Sequence, residues 1–241
     1  MIPLGDDNTA RIRTPYVNIA LIILNIFVFA WFQGLGKNND FTFSFATIPA
    51  EILTGQDVVY QDNIGLTPIP VYFTIFTAMF MHGGYMHLAG NMLYLWVFGD
   101  NLENVMGHLK YFIFYLLTGL IATLCHVFSS HFFGGDIYVP SLGASGAISG
   151  ILGGYLLMFP KNQVRVLFFL LLIRVPAFIT LGLWIGMQLW EGWGSLGQKG
   201  GGVAYAAHIG GFIAGLLLVR YFASKKKVAV QSTQLSRVST L

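Results

Sequence analysis

GASGAISGILGGYLLMFP, residues 143–160, is apolar and uncharged, rich in glycine, and closed by a proline. As a helix rising about 1.5 Å per residue, such a stretch covers most of the roughly 30 Å of hydrocarbon in a bilayer. Ser145 is wedged beside glycine near its start, and Gly146 with Gly150 forms a GxxxG that lets helices approach closely. Two readings follow. The stretch is a packing face, or Ser145 is a nucleophile held where water is scarce.

The rest of the chain has the same character. Of 241 residues, 55% are hydrophobic and only 10% are charged, where a soluble domain carries about 25% charged residues. This is the composition of an integral membrane protein. Six apolar stretches are predicted to span: about 15–35, 84–103, 106–128, 143–160, 175–193 and 202–222. Each is close to the roughly 17–25 residues that cross a bilayer. The first follows Arg11 and Arg13 and lacks a small-residue cleavage site, so it reads as a retained anchor. The expected fold is all-α, a bundle of six transmembrane helices. Residues 1–14 are then a cytoplasmic N-terminal segment, 15–222 the membrane domain, and 223–241 a polar, basic cytoplasmic tail.

Two stretches fit less simply. Residues 36–83 are long and mixed for a structureless connection, so a folded first loop in or on the interface is expected. Residues 165–174, RVLFFLLLIR, are too short to span as a helix and read as an interfacial segment on the arginine-rich side. With both termini inside, eleven of the thirteen Lys and Arg residues fall on the inner side, and only Lys37 and Lys199 fall outside. That bias is strong. The one cysteine, Cys125, excludes an intramolecular disulfide, and no metal-type Cys or His spacing appears. No cofactor, metal or nucleic-acid partner is expected, and the sequence leaves the oligomeric state open.

Polar residues at membrane depth are costly and usually functional. His87, Asn91, Ser145 and His208 each lie within about ten residues of the start of an even-numbered span. Those spans begin on the outer side, so three separate pieces of chain place polar groups within roughly 10 Å of one boundary. His87 and Asn91 are four apart, on one helical face. Serine needs a base to take its proton, and histidine is the usual one. No carboxylate lies at this depth, because Asp100 and Glu103 fall at the inner end of the second span. A Ser145–His208 dyad is therefore expected, without a third carboxylate. Backbone N–H groups at a helix start, with His87 and Asn91, could hold an oxyanion.

The residues from about 71 to 220 resemble the rhomboid intramembrane serine proteases. GASG at 143–146 is similar to the family's GxSG, AHIGGFIAG at 207–215 to its AHxxGxxxG, and HGGYMHLAGN at 82–91 to its HxxxxHxxxN. The resemblance implies Ser145 as nucleophile, His208 as base, and an oxyanion site of His87, Asn91 and Ser145. It implies a water-filled cavity open to the outer side, and cleavage of peptide bonds in or near transmembrane segments of other proteins. Gly143 belongs to the serine motif. Gly146 and Gly150 on one side, and Gly211 and Gly215 on the other, would bring the fourth and sixth spans together. Glu103 matches a residue with a structural, hydrogen-bonding role, and His82 is expected to anchor the first loop.

The family's first-loop Trp-Arg pair is absent, and the aromatic that some members carry four residues after the serine is here Ser149. Tyr205 is expected to pack on His208 instead. Phe178, Trp184, Trp190 and the loop GSLGQKGGG at 194–202 are candidates for a gate and cap. His108, His126 and His131 have no motif context. A multi-pass protein of a bacterial plasma membrane is expected, and the resemblance implies transmembrane protein substrates in the lipid bilayer. The rivals are a non-proteolytic rhomboid-like protein that binds transmembrane helices, and a transporter or channel. Transport calls for ionisable groups along a path, whereas the polar residues here cluster at one end.

Overall fold

The computed structural model describes residues 1–58, 65–196 and 203–223. The first apolar stretch forms α1 (Tyr16–Phe27), which runs on as a π-helical turn, Val28–Phe32. Its start has no side-chain cap of its own. Glu103 supplies one from α5 (Tyr85–Met106): its Oε1 accepts from the Val17 N–H at 3.0 Å and its Oε2 from the Asn18 N–H at 2.7 Å. A carboxylate there satisfies unpaired N–H groups and suits the positive end of the helix dipole. Asn18 extends the link. It donates to the Leu95 carbonyl at 3.0 Å and accepts from the Tyr111 hydroxyl of α6 (His108–Phe132) at 2.7 Å. Only Gly107, at φ +81°, separates α5 from α6, and that angle favours glycine.

The first loop is folded. It holds α2 (Asn39–Phe45), α3 (Pro49–Thr54), a 3₁₀ turn at Val71–Phe73, α4 (Thr74–Thr77) and a second 3₁₀ turn at Ala78–Phe80. Thr47 and Ser141 exchange backbone hydrogen bonds of 2.9 and 2.7 Å, which fastens the loop to the segment before α7.

α7 (Ser145–Met158) lies at the centre, between α6 and α9 (Tyr205–Phe222), while α8 (Ala177–Gly194) packs mainly on α9. Glycine explains how close these helices come. A Cβ on Gly211 would strike the carbonyl oxygen of Gly146, and one on Gly215 that of Gly150. Gly146 and Gly150 themselves turn toward α6: a Cβ on Gly146 would stand 2.8 Å from Ala122 Cβ, and one on Gly150 would strike Thr118. The expectation that all four glycines serve one α7–α9 contact is corrected here. Those of α9 admit the backbone of α7, and those of α7 admit α6.

The chain is mostly helical rather than all-α. β1 (Ile2–Gly5), β2 (Gln163–Phe168) and β3 (Leu171–Pro176) form an antiparallel sheet in that order. Residues 165–174 thus lie in a hairpin, with Arg165 opposite Arg174. In β2 the valines 164 and 166 are fully buried while Gln163 and Arg165 are exposed, the period-two pattern of a half-buried strand. β1 adds to it with Pro3 opposite Val166. The N-terminal residues are therefore structured, and Arg11 pairs with Asp100 at 2.7 Å.

Among the described residues, two helices, α6 and α9, are long and apolar enough to cross a membrane. The stretch Tyr16–Phe32 and α7 are apolar but shorter. α7 has 14 residues, about 21 Å at 1.5 Å per residue.

Candidate active site

Ser145 is the first residue of α7, so the N–H groups of the first turn lack acceptors within the helix. The approach is fixed by Gly143, whose N–H donates to the Ala78 carbonyl at 2.9 Å and whose φ of +128° favours glycine. His208 sits in the first turn of α9. Its Nε2 lies 2.8 Å from Ser145 Oγ, joining positions 63 residues apart. Its Nδ1 lies 2.7 Å from Oε1 of Gln188, on α8. An amide oxygen only accepts, so Nδ1 carries the proton and Nε2 is bare. The serine hydroxyl then donates to Nε2, the arrangement a general base requires.

His87 and Asn91 lie one turn apart near the start of α5. The Gly83 N–H donates to His87 Nδ1 at 3.2 Å, which leaves the ring proton on Nε2. That edge faces the serine loop: a Cβ on Gly143 would lie 2.8 Å from His87 Nε2 and 3.7 Å from Ser145 Oγ. Asn91 is buried, and its Nδ2 has no hydrogen-bond partner among the described residues. His87, Asn91, Ser145 and His208 line one open cavity of about 1420 Å³, together with His126 and Trp184. Thus the four residues singled out by depth share one site. His126, which has no motif context, also faces it.

Other expectations are redrawn. The ring against His208 is Trp184, at 6.0 Å between centroids, and not Tyr205. Tyr205 opens α9 and lies against Gly192, where a Cβ would stand 3.1 Å from its own. Trp190 lines the cavity with Trp184, whereas Phe178 is not among its lining residues. Ser149 is buried and donates to the Ser145 carbonyl at 2.6 Å. His82 does anchor the loop, but through its backbone: Gln33 accepts from its N–H at 2.9 Å and donates to its carbonyl at 3.0 Å. The His82 ring packs on that of His87 at 5.2 Å. Glu103 stands apart from the cavity, capping α1 and touching His108. Residues 197–202 of the expected cap, and the tail from 224, lie outside the described residues. Among the described residues no group of three or more His, Cys, Asp or Glu is placed to hold a metal.

Gln188 is the residue that sequence reasoning missed. A signal was there, since it stands four residues after Trp184, on the same face, in a largely apolar helix whose other polar side chains are Thr180 and Glu191.

Residues 70–225 match the family model described as the Rhomboid domain. The chain is 32% identical over 146 residues to Rhomboid protein 1, mitochondrial, of Saccharomyces cerevisiae, covering 60% of this chain and 40% of that one. It is 28% identical over 154 residues to the presenilin-associated rhomboid-like protein, mitochondrial, of Bos taurus, covering 59% and 36%. It is 35% identical over 138 residues to RHOMBOID-like protein 4 of Arabidopsis thaliana, covering 57% and 31%. The matches thus span two fifths or less of those relatives' lengths. The matched region takes in every described residue that lines the cavity, from Gly83 to Ile213, and the chain belongs to the rhomboid family.

Proposed function

We propose that this membrane protein is a serine endopeptidase that cleaves transmembrane segments of other membrane proteins. One observation carries the reading: Ser145 Oγ stands 2.8 Å from His208 Nε2, inside a cavity that His87 and Asn91 share. His208 takes the serine proton as Oγ attacks a peptide carbonyl. The developing oxyanion meets the Ser145 N–H, His87 Nε2–H and the Asn91 amide. The imidazolium then gives its proton to the leaving amine, and a water activated by the same base releases the acyl group. A non-proteolytic helix binder has no use for a hydrogen bond between Ser145 and His208.

α1 with its π-helical turn, α5, α6, α7, α8 and α9 are the six spans of this proposal, with both termini on the inner side. α7 is about 9 Å shorter than roughly 30 Å of hydrocarbon, which suits a serine that begins its helix below the outer surface, under water. A substrate helix must unwind to reach it, so helix-weakening Gly or Pro, and a small residue before the cut, are expected in substrates. The named relatives are from a yeast, a mammal and a plant, so the expected bacterial plasma membrane gains no support from them.

The test is labelling of the purified protein with a serine-reactive fluorophosphonate, beside cleavage of a model transmembrane substrate. The parent is expected to label and cleave, and Ser145→Ala and His208→Ala to do neither. Persistent labelling of Ser145→Ala would overturn the assignment.

A further inference from the structure

We propose that Gln188 is a positioning residue for the base, and that α8 thereby fixes the tautomer of His208; this rests on the protease reading above. Neutral imidazole carries one proton on either of two nitrogens, and only the form with a bare Nε2 can take the proton of Ser145. Nothing on α9 itself selects that form among the described contacts. The selection comes from a neighbouring helix, where Gln188 Oε1 stands 2.7 Å from Nδ1. An amide oxygen has no proton to give, so this contact exists only with the proton on Nδ1. Trp184, four residues earlier on α8, packs its ring on His208 at 6.0 Å and on Phe212 of α9 at 6.0 Å. Two side chains of one helical face therefore hold the imidazole, one by its edge and one by its plane.

A neutral amide is suited to this place. A carboxylate there would be a charge in a largely apolar helix, which is costly. The amide orients the ring without adding one. Among the described residues Gln188 makes no hydrogen bond to Ser145, His87 or Asn91, so it acts through His208.

The prediction separates Gln188→Met, which keeps length and loses the acceptor, from Gln188→Glu, which keeps an acceptor. In the full-length protein with a model transmembrane substrate, Gln188→Met is expected to lower kcat about 10²-fold, within the range a positioned base contributes. KM is expected to stay within about twofold, because substrate contacts are untouched. Gln188→Glu is expected to recover most of the loss. Imidazole ¹⁵N spectra should show one tautomer in the parent, protonated at Nδ1, and a mixture in Gln188→Met. Parent-like kcat in Gln188→Met overturns the proposal. So does an equal loss in both variants with an unchanged tautomer, which is the result for a residue that only packs. The tautomer is read without turnover, so a parent that neither labels nor cleaves would sink the protease reading while leaving this contact testable.

Discussion

At Asn91 a buried amide nitrogen donates to no group among the described residues. An unpaired buried donor costs about 1–3 kcal/mol, and a cost of that size persists where the group is used in another state. Asn91→Ala removes both the donor and its cost. The expected outcome is a melting temperature no lower than the parent's, with kcat down about 10²–10³-fold and KM little changed. Thermal unfolding in detergent beside steady-state cleavage measures this, and a matched fall in both would make Asn91 a packing residue. Against His87, burial and that neighbouring ring push the His82 ring down to about 3, so it stays neutral across the physiological range. The contrast shows what could be read from sequence. His87, Asn91, Ser145 and His208 stood out because polar groups recurred near the starts of three apolar stretches. Gln188 did not, because an amide in a largely apolar helix has no partner until α8 is laid beside α9. Tyr205 misled for a related reason. Spacing three residues before His208 allows a shared face, but the helix start turned its side chain toward Gly192.

Between elements, the contact that decides the site is that of α7 with α9. A Cβ at Gly211 has nowhere to go, because the Gly146 carbonyl occupies its place and Ala122 Cβ stands 3.2 Å away. Backbone cannot rotate aside as a flexible side chain can, so the helices must part, and His208 withdraws from Ser145. Gly211→Val is expected to lose cleavage to the level of His208→Ala, with overpacking that costs about 1–3 kcal/mol or more. Gly186, in α8, is the control: among the described residues no heavy atom beyond its own stretch of helix lies within 4 Å of its Cβ position. Gly186→Ala should match the parent in cleavage and gain up to about 1 kcal/mol from helix propensity. A folded Gly211→Val that cleaves at the parent rate would refute this account. The apolar helices were legible because hydropathy reports burial in any apolar surrounding. The sheet was not. Its hairpin reads as one apolar run, since Phe169 and Leu170 at the tip are 84% and 94% exposed and break the alternation. The QVRV alternation at 163–166 was the available signal. β1, four residues long, had none until β2 lay beside it.

Across the whole molecule, one end is open at the cavity and the other is closed by polar contacts that reach the same central helix. Tyr155, near the far end of α7 from Ser145, donates to Asp6 at 2.5 Å and accepts from Asn162 at 3.2 Å. Asn101 of α5 donates to Asp6 at 2.6 Å. The N-terminal strand is thereby pinned to the helix that begins with Ser145. Asp6 has a cost in this place. Burial, and then the charge of Asp100, raise its carboxyl from 3.8 to about 7. The folded protein thus holds this proton more tightly than the unfolded chain. Its contribution to stability is full below about pH 4 and is lost as pH rises through about 7, on the order of 1.4 kcal/mol for each pH unit in that window. Asp6→Asn keeps an oxygen to accept from Tyr155 and Asn101 and cannot ionise. The variant is expected to be more stable than the parent at pH 8, with the gap closing toward pH 5. Thermal unfolding of both proteins in the same detergent, from pH 5 to 8, measures the gap, and the titration of groups that do not interact with Asp6 cancels in the difference. A gap that stays constant over this range would mean that Asp6 is ionised throughout, and that Tyr155 and Asn101 alone offset the charge at the closed end of α7.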